Sequence, residues 1–172
     1  PVDYYGTSGS VDIPQEACIG DQAYNASIPA FENKREQARS TSRQLIFEII
    51  NESEVELVQY YGTAESVDIP QRVCIDDQEY DVTSVGEYAF NNKKNLKSVN
   101  LPSGIKKICE FAFQDCKNLE SVKLPNSITK IDKGAFFGCK NLQLDQLPDS
   151  VTEIGECAFS FCTNLQLKQL PD

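Results

Sequence analysis

Cysteine is the residue with the most varied possible chemistry in this chain, because it can form a disulfide or bind a metal ion. The chain contains seven cysteines, so at least one is unpaired or pairs outside the sequence. Three of them recur at intervals of 23 residues, at Cys116, Cys139 and Cys162. A fixed interval between about 20 and 50 residues is typical of a solenoid, in which equivalent residues of successive units form a column.

The geometry of such a column decides between these chemistries. Stacked strands lie about 4.8 Å apart, which is within the range that a disulfide tolerates. Parallel Cβ vectors nevertheless make a bridge along one column awkward, and no set of four ligands with paired spacing indicates zinc. We therefore expect small buried thiols and no metal or other cofactor. Cys18 and Cys74 occupy matching positions of a duplication, whereas Cys109 and Cys157 occupy different repeat positions.

The remaining composition gives little support to acid–base or hydrolytic chemistry. The chain has no histidine, which removes the usual general base and the usual nitrogen ligand of zinc. It has 26 acidic residues, but no feature selects two that would converge on a glycosidic bond. The acidic run from Asp76 to Asp81 lacks the spacing and central glycine of an EF-hand, and a tight turn between two strands explains it. The sequence predicts no enzymatic activity.

The distribution of charge argues against binding to nucleic acid. The net charge is −10. Residues 45–81 contain 10 acidic residues and one arginine, whereas residues 82–172 are nearly neutral, with 11 lysines and 10 acidic residues. No basic stripe of useful length is visible in the linear sequence. The sequence also has no run of about 18 apolar residues, which is the length that a bilayer-spanning helix needs.

The elements that position these residues are four units, at 82–104, 105–127, 128–150 and 151–172. Their shared pattern is I-x-x-I-x-x-x-A-F-x-x-C-x-N-L-x-x-x-x-L-P. The segments Leu96–Leu101 and Leu119–Leu124 read L-x-x-V-x-L, which predicts a short strand with one face inward, and the proline that follows ends the strand. The Ala-Phe stretch predicts a short helix or a turn on the opposite side. The last inward position of each strand is a leucine, at Leu101, Leu124, Leu147 and Leu170.

Units three and four depart from this pattern. Their middle apolar residue is Leu144 or Leu167, one place earlier than the valine of the first two units. Because side chains alternate in a strand, this shift either rotates the exposed set or marks a bulge, and the sequence leaves both open. An asparagine also recurs in every unit, and we expect its amide to satisfy backbone groups of the turn that enters each strand. These residues are Asn95, Asn118, Asn141 and Asn164.

The N-terminal half contains a second duplication, with an offset of 56 residues. The segments at 2–7 and 11–15 recur at 58–63 and 67–71. We therefore divide the chain into a partial copy of a β-rich lead-in with a polar linker (1–44), a β-rich N-terminal cap (45–81) and the repeats (82–172). The cap is expected to contain a hairpin of 45–50 with 55–61. No second cap follows Asp172, so we expect the array to continue beyond it.

The repeat sequence resembles a known family. Residues 118–131, N-L-E-S-V-K-L-P-N-S-I-T-K-I, followed by Ala135–Cys139, look like the BspA-like leucine-rich repeat of bacterial and protist surface proteins. Residues 67–70 and 80–85 are similar to the lead-in that precedes such arrays. The resemblance implies an α/β leucine-rich repeat solenoid. It also implies a secreted or surface-anchored protein without enzymatic activity that binds host proteins, for example matrix proteins, or other cells.

The exposed positions of the predicted strands are the candidate partner-binding residues. They are Lys97, Ser98, Asn100, Glu120, Ser121, Lys123, Gln143, Asp145, Gln146, Gln166, Lys168 and Gln169. The interval of 23 residues places Lys97 beside Glu120 and Asp145 beside Lys168. The main hypothesis is a cell-surface adhesion module that binds an extracellular protein through this face or the flanking loops. The alternatives are a rigid spacer that displays another domain and, more remotely, a glycan-processing enzyme.

Overall fold

A computed structural model describes residues 44–167 and, nearer the N terminus, the backbone of strands at 10–11, 16–17 and 37–39. The strands in these parts are β1 (Ser10–Val11), β2 (Glu16–Ala17), β3 (Gln37–Arg39), β4 (Leu45–Ile49), β5 (Glu54–Tyr60), β6 (Ser66–Asp68), β7 (Arg72–Ile75), β8 (Gln78–Val85), β9 (Ser98–Asn100), β10 (Lys107–Ile108), β11 (Ser121–Lys123), β12 (Lys130–Ile131) and β13 (Glu153–Ile154). The described residues contain no helix, and hence none that could cross a membrane. Of the two forms predicted for the Ala-Phe stretch, the turn is the one observed.

The first sheet is parallel and has the strand order β1-β6-β9-β11. Its registers pair serine with serine, and each strand belongs to a Ser-Val-x-Ile/Leu-Pro motif. The paired serines are Ser10, Ser66, Ser98 and Ser121. An interval of 23 residues does not reveal the two N-terminal strands, because β6 precedes β9 by 32 residues and β1 precedes β6 by 56. The lead-in therefore supplies a strand to the same sheet as the repeats.

The second sheet lies on the other side of the core and has the order β13-β12-β10-β8-β5-β4-β3, with β7 paired to β8 and to β2. The repeat strands in it are parallel, whereas β4 and β5 form the expected antiparallel hairpin. Strands β7 and β8 form a second hairpin, whose loop residues Asp76 and Asp77 have φ angles of 50° and 63°. Two consecutive positive φ angles are typical of a tight two-residue hairpin turn. Asp76 and Asp77 thus form the predicted turn, and the rest of the acidic run, with Glu79 and Asp81, lies in β8.

A ladder of aromatic rings occupies the core between the sheets. Successive centroids are 5.2, 4.9, 5.1 and 5.3 Å apart, and the three Phe–Phe contacts of the ladder are nearly parallel. The rings belong to Tyr60, Phe90, Phe113, Phe136 and Phe159. The first four are fully buried and Phe159 is partly buried. Each ring covers the apolar surface of its neighbour, so no unit has a complete core by itself.

The turns between the sheets form a hydrogen-bonded layer of their own. The backbone N–H of Phe90 donates to the carbonyl of Ala112 at 2.8 Å, and the same bond recurs one unit later from Phe113. Two positions of this layer have positive φ in every unit, and at the first of them φ is 54° at Phe111 and 59° at Gly134. A Cβ on Gly134 would lie 2.3 Å from the Phe111 ring, so the glycine lets that ring lie flat on the next turn.

The third unit departs from the predicted strand. Residues 142–147 contain one isolated bridge residue, Gln146, and form no strand beside β11. The inward leucines explain the difference, because Leu144 lies one place earlier than the valine of β11 and cannot match its alternation. The column of inward leucines is also uneven: Leu101 and Leu147 are buried, and Leu124 is only partly buried. Leu167 is partly buried, and Leu170 lies outside the described residues.

The ring ladder should carry more of the stability than the leucine column. Phe113→Ala removes a fully buried ring that stacks on both neighbours, so we expect the free energy of unfolding to fall by about 3–5 kcal/mol. Leu124→Ala, at a partly buried position, should lower it by less than about 2 kcal/mol. Urea unfolding followed by circular dichroism measures both values. Equal losses would contradict the assignment of the main core to the rings.

Candidate functional site

The candidate surface is the outward face of the first sheet, which we call the strand face. Strand alternation turns the central valines Val67, Val99 and Val122 inward, where each is at most 4% exposed. The residues on either side of each valine therefore point outward. They are Ser66, Asp68, Ser98, Asn100, Ser121 and Lys123. Four of the predicted site residues are thus brought together in two adjacent rows by β9 and β11.

The outward residues bond to one another along these rows. The hydroxyl of Ser98 donates to the hydroxyl oxygen of Ser66 at 2.8 Å. The amide nitrogen Nδ2 of Asn100 donates to Oδ1 of Asp68. The register places Ser121 beside Ser98 and Lys123 beside Asn100. The strand face is therefore polar and partly fixed in conformation before any partner binds.

A third row consists of the charged residues that come directly before the strands β6, β9 and β11. The backbone N–H of Glu120 donates to the carbonyl of Lys97 at 2.8 Å, so the two residues are neighbours as predicted. The ammonium of Lys97 bonds to Oε2 of Glu65 on the other side, at 2.9 Å. The hydrogen bond that Lys97 donates to Glu65 raises the pKa of Lys97, and the charges of Glu65 and Glu120 act in the same direction. Lys97 is therefore a cation bound to the carboxylate of Glu65, with the acidic residue Glu120 next to it on the other side.

Three of the six predicted site residues of units three and four line a groove. Gln143, Asp145 and Gln166 line it, together with Leu144, Thr163 and Asn164, and its volume is about 380 Å³. The backbone N–H of Gln143 donates to the carbonyl of Glu120 at 2.8 Å, which connects the groove to the strand face. Gln146 is exposed and does not line the groove. Lys168 and Gln169 lie outside the described residues, so the predicted pairing of Asp145 with Lys168 stays a prediction.

Sequence reasoning missed the contribution of the lead-in to this face. Glu65, Ser66 and Asp68 supply one position in each row and bond to repeat residues. The signal was present in the sequence as E-S-V-D-I-P at 65–70, which matches K-S-V-N-L-P at 97–102. It was hidden because the interval between them is 32 residues instead of 23.

The cysteine column is a set of buried thiols, as predicted, apart from its last member. Cys116 and Cys139 are fully buried, and Cys162 is partly exposed. Each thiol donates to a carbonyl of the preceding unit, Cys116 to Phe90 at 2.9 Å and Cys139 to Phe113 at 3.0 Å. Burial raises the pKa of Cys116 to about 12 and that of Cys162 to about 11. These thiols stay protonated at neutral pH.

Cys109 and Cys157 are also free, Cys74 is buried, and Cys18 lies outside the described residues. Cys109 is buried beside a carboxylate, with its Sγ 3.3 Å from Oε2 of Glu56, and burial raises its pKa to about 12. Cys157 is exposed. Within the described part of the chain, no group of three or more histidine, cysteine or acidic side chains could hold a metal ion.

The asparagine column is structural in two of its members. Nδ2 of Asn118 donates to the carbonyl of Lys94 at 2.7 Å, and Nδ2 of Asn95 donates to that of Thr63 at 3.4 Å. These bonds join successive turns, as predicted. Asn164 differs, because it donates to the side chain of Asn141 at 3.3 Å.

Comparison with known sequences identifies the repeat. A family model described as a BspA type leucine rich repeat region matches residues 77–172 in six copies, which confirms the resemblance stated above. The family model thus counts six copies where the spacing of the sequence predicts four units. No match was found among curated proteins.

Several solved structures are similar to this chain. A leucine-rich repeat protein from Bacteroides capillosus ATCC 29799 is 27% identical, with a TM-score of 0.66 over 81% of this chain and 98% of that one. The pneumococcal vaccine antigen PcpA is 29% identical, with a TM-score of 0.62 over 81% of this chain and 31% of the antigen. A leucine-rich repeat protein from Bacteroides ovatus ATCC 8483 is 26% identical, with a TM-score of 0.58 over 75% and 40%. The chain thus spans less than half of the last two.

The cysteines should differ sharply in reactivity. Iodoacetamide at neutral pH should label Cys157 in the native protein but not Cys116 or Cys139, because only a solvent-accessible thiolate reacts. Peptide mass spectrometry locates the label, and the same treatment in urea should modify all three. Native labelling of Cys116 and Cys139 at the rate of Cys157 would refute the buried-thiol assignment.

Stability should also decline in alkali. The pKa of Cys116 in the folded protein is about 12, above the ordinary value of 9.0, so the folded state retains the proton more strongly than the unfolded state. The stabilising contribution is therefore complete below about pH 9 and is lost as the pH rises towards 12. Chemical unfolding at several pH values should show a smaller alkaline loss for Cys116→Ala than for the unmodified chain. Identical pH profiles would contradict this role of the thiol.

Proposed function

The chain belongs to the BspA-type leucine-rich repeat family, and from this premise we propose that it is a non-enzymatic, extracellular binding module for proteins. The strand face is the proposed site, extended by the groove of units three and four. The similarity to a pneumococcal vaccine antigen supports a location at a cell surface. The proposed partner is an extracellular or host protein, such as a matrix protein.

The observation that carries the proposal is the fixed array of polar side chains on the strand face. Ser98 bonds to Ser66, Asn100 to Asp68 and Lys97 to Glu65, each across a strand boundary. Side chains that are already ordered lose little conformational freedom when a partner binds. A rigid face of this kind favours recognition of a partner's surface over catalysis.

The chemistry of the face indicates what its partner must present. The described outward residues of β6, β9 and β11 are hydroxyl, amide and charged side chains, and none is aromatic. Acidic and basic groups alternate along the charged row, from Glu65 to Lys97 to Glu120. Because charge patterns set specificity and association rate more than affinity, the partner should carry a complementary alternating pattern.

A spacer is the second candidate, and the ring ladder favours it. Stacked rings from Tyr60 to Phe159 run through the whole described array, which gives a stiff rod. A spacer would tolerate any substitution that leaves the rod folded, including substitutions on the strand face. Within the described residues, no observation favours the glycan-processing alternative.

Binding to a panel of immobilised extracellular-matrix proteins tests the proposal. Lys97→Glu with Lys123→Glu reverses two charges of the strand face, and we expect at least about a tenfold loss of affinity for any partner that this face binds. The matched control is Lys106→Glu with Lys133→Glu, which makes the same change in net charge on residues outside the strand face. The control should bind like the unmodified chain.

Each outcome separates the candidates. Equal loss in both variants would mean that the effect is one of net charge alone, and the strand face would not be the site. Binding that both variants retain would also remove the site from the strand face. Absence of binding across the whole panel, with a folded protein, would favour the spacer.

A further inference from the structure

Three exposed lysines form a column that lies outside the strand face. Lys94, Lys117 and Lys140 recur at intervals of 23 residues, and all three are exposed. Each is the first residue of a turn, and the next residue is an asparagine of the asparagine column. We call the three lysines the lysine stripe. In unit four the same position is Thr163.

The hydrogen bonds of the array place these residues next to one another in space. Asn118 donates to the carbonyl of Lys94 at 2.7 Å, which fixes the first two turns together. Two backbone hydrogen bonds of 2.8 Å flank the turns of Lys117 and Lys140 and join their units. The N–H of Asp115 donates to the carbonyl of Phe137 before the turns, and the N–H of Gln143 donates to that of Glu120 after them. Neighbouring units are about 4.8 Å apart, so the stripe is about 10 Å long. The linear sequence does not show this stripe, because its members are separated by 22 residues of mixed charge.

Among the described residues, the three lysines of the stripe form no ion pair, whereas five other lysines of the repeats have carboxylate partners. Lys106 pairs with Glu54, and Lys107 pairs with Asp132 at 2.8 Å. Lys130, Lys133 and Lys97 also have carboxylate partners, at 2.9, 3.6 and 2.9 Å. Like charges stacked at the spacing of a ladder repel one another. Lys93 and Lys123 also form no ion pair in the described part of the chain, but they belong to the cysteine column and to the strand face, so the stripe is the column in which unpaired lysines recur.

The neighbouring amides add hydrogen-bonding groups of a definite kind. The amide nitrogens of Asn95 and Asn118 are engaged on backbone carbonyls, which leaves their side-chain oxygens as acceptors for hydroxyl groups. A ligand that carries anionic groups and hydroxyl groups in a short repeat matches both columns. Single-stranded nucleic acid matches less well, because it uses aromatic stacking platforms and the turns at 94–95, 117–118 and 140–141 contain no aromatic residue.

From these observations we infer that the lysine stripe and its adjoining asparagines bind a short segment of an acidic glycan, sulfated or carboxylated. This is a second binding surface, separate from the strand face proposed for protein partners. The ammonium groups contact the anionic groups of successive sugars, and Asn95 and Asn118 accept hydrogen bonds from sugar hydroxyls. The acidic residues of 45–81 repel a long polyanion, so recognition is confined to a few sugars at the nearly neutral repeats.

Binding of size-defined oligosaccharides to the complete chain tests the inference. The probes are a heparin hexasaccharide, an oligogalacturonate, a neutral dextran fragment and an oligothymidylate of similar charge. At low salt, we expect one of the acidic glycans to bind at least about tenfold more tightly than dextran or the oligothymidylate, with an affinity that falls as salt rises. Isothermal titration calorimetry measures each affinity.

Three variants locate the site. Lys94→Gln with Lys117→Gln and Lys140→Gln should weaken glycan binding by about tenfold or more. The matched control, Lys106→Gln with Lys130→Gln and Lys133→Gln, removes the same net charge elsewhere and should change affinity by less than about twofold. Substitution of the stripe by arginine at all three positions should retain binding and shows that the positions tolerate replacement.

Several results would overturn the inference. Equal weakening in the glutamine variant and in its control would assign the effect to overall charge. If the acidic glycans bind no better than dextran, acidic glycans are not the ligand. If the oligothymidylate binds as tightly as the acidic glycans, the stripe has no preference for sugars. Binding of matrix proteins through the strand face should be unchanged in the stripe variant, so the two proposals fail independently.

Discussion

Backbone hydrogen bonding between successive units, at the spacing of a parallel β-ladder, is the constraint on which the rest of this structure depends. Both sheets and the turn layer use it, so each unit is bonded to the next on several sides at once. This common spacing brings the phenyl rings to about 5 Å and lets every ring cover its neighbour. It also aligns side chains that lie far apart in the sequence. The rows of the strand face, the cysteine column and the lysine stripe all follow from the same spacing.

Alignment into columns gives opposite results for different residue types. A column of cysteines becomes apolar, because the thiols of Cys116 and Cys139 are buried and each donates to a carbonyl of the preceding unit. The first unit has Lys93 at this position, where burial lowers the pKa of the amine and its Nζ lies 5.3 Å from the centre of the Tyr60 ring. A column of exposed lysines instead concentrates positive charge, because no acidic residue alternates with it. Function in this architecture therefore depends on which column a residue joins.

The periodic part of the structure could be predicted from the sequence because every unit obeys one rule. The strands at 98–100 and 121–123, the turns around Ala112 and the buried thiols of Cys116 and Cys139 follow from residue spacing alone. The pairing of the strand at 66–68 with the repeat strands was missed, because the lead-in has nine more residues before the next unit than the repeat interval allows. The absence of a strand at 142–147 could be predicted only in part. A shifted leucine shows that the alternation changes, but whether the segment then bulges or detaches depends on packing against β11.

The direction of the hydrogen bonds in the array has an evolutionary consequence. In the turn layer each unit donates its N–H groups to the following unit, as from Phe90 to Ala112, whereas before the strands it donates to the preceding unit, as from Glu120 to Lys97. Every unit thus presents the same donors and acceptors to whatever precedes it and whatever follows it. A copied segment that forms a complete turn of the solenoid can be inserted without leaving a backbone group unpaired. The pairing of β1 with β6, whose sequences repeat after 56 residues, is what such a gene duplication leaves behind in the folded chain.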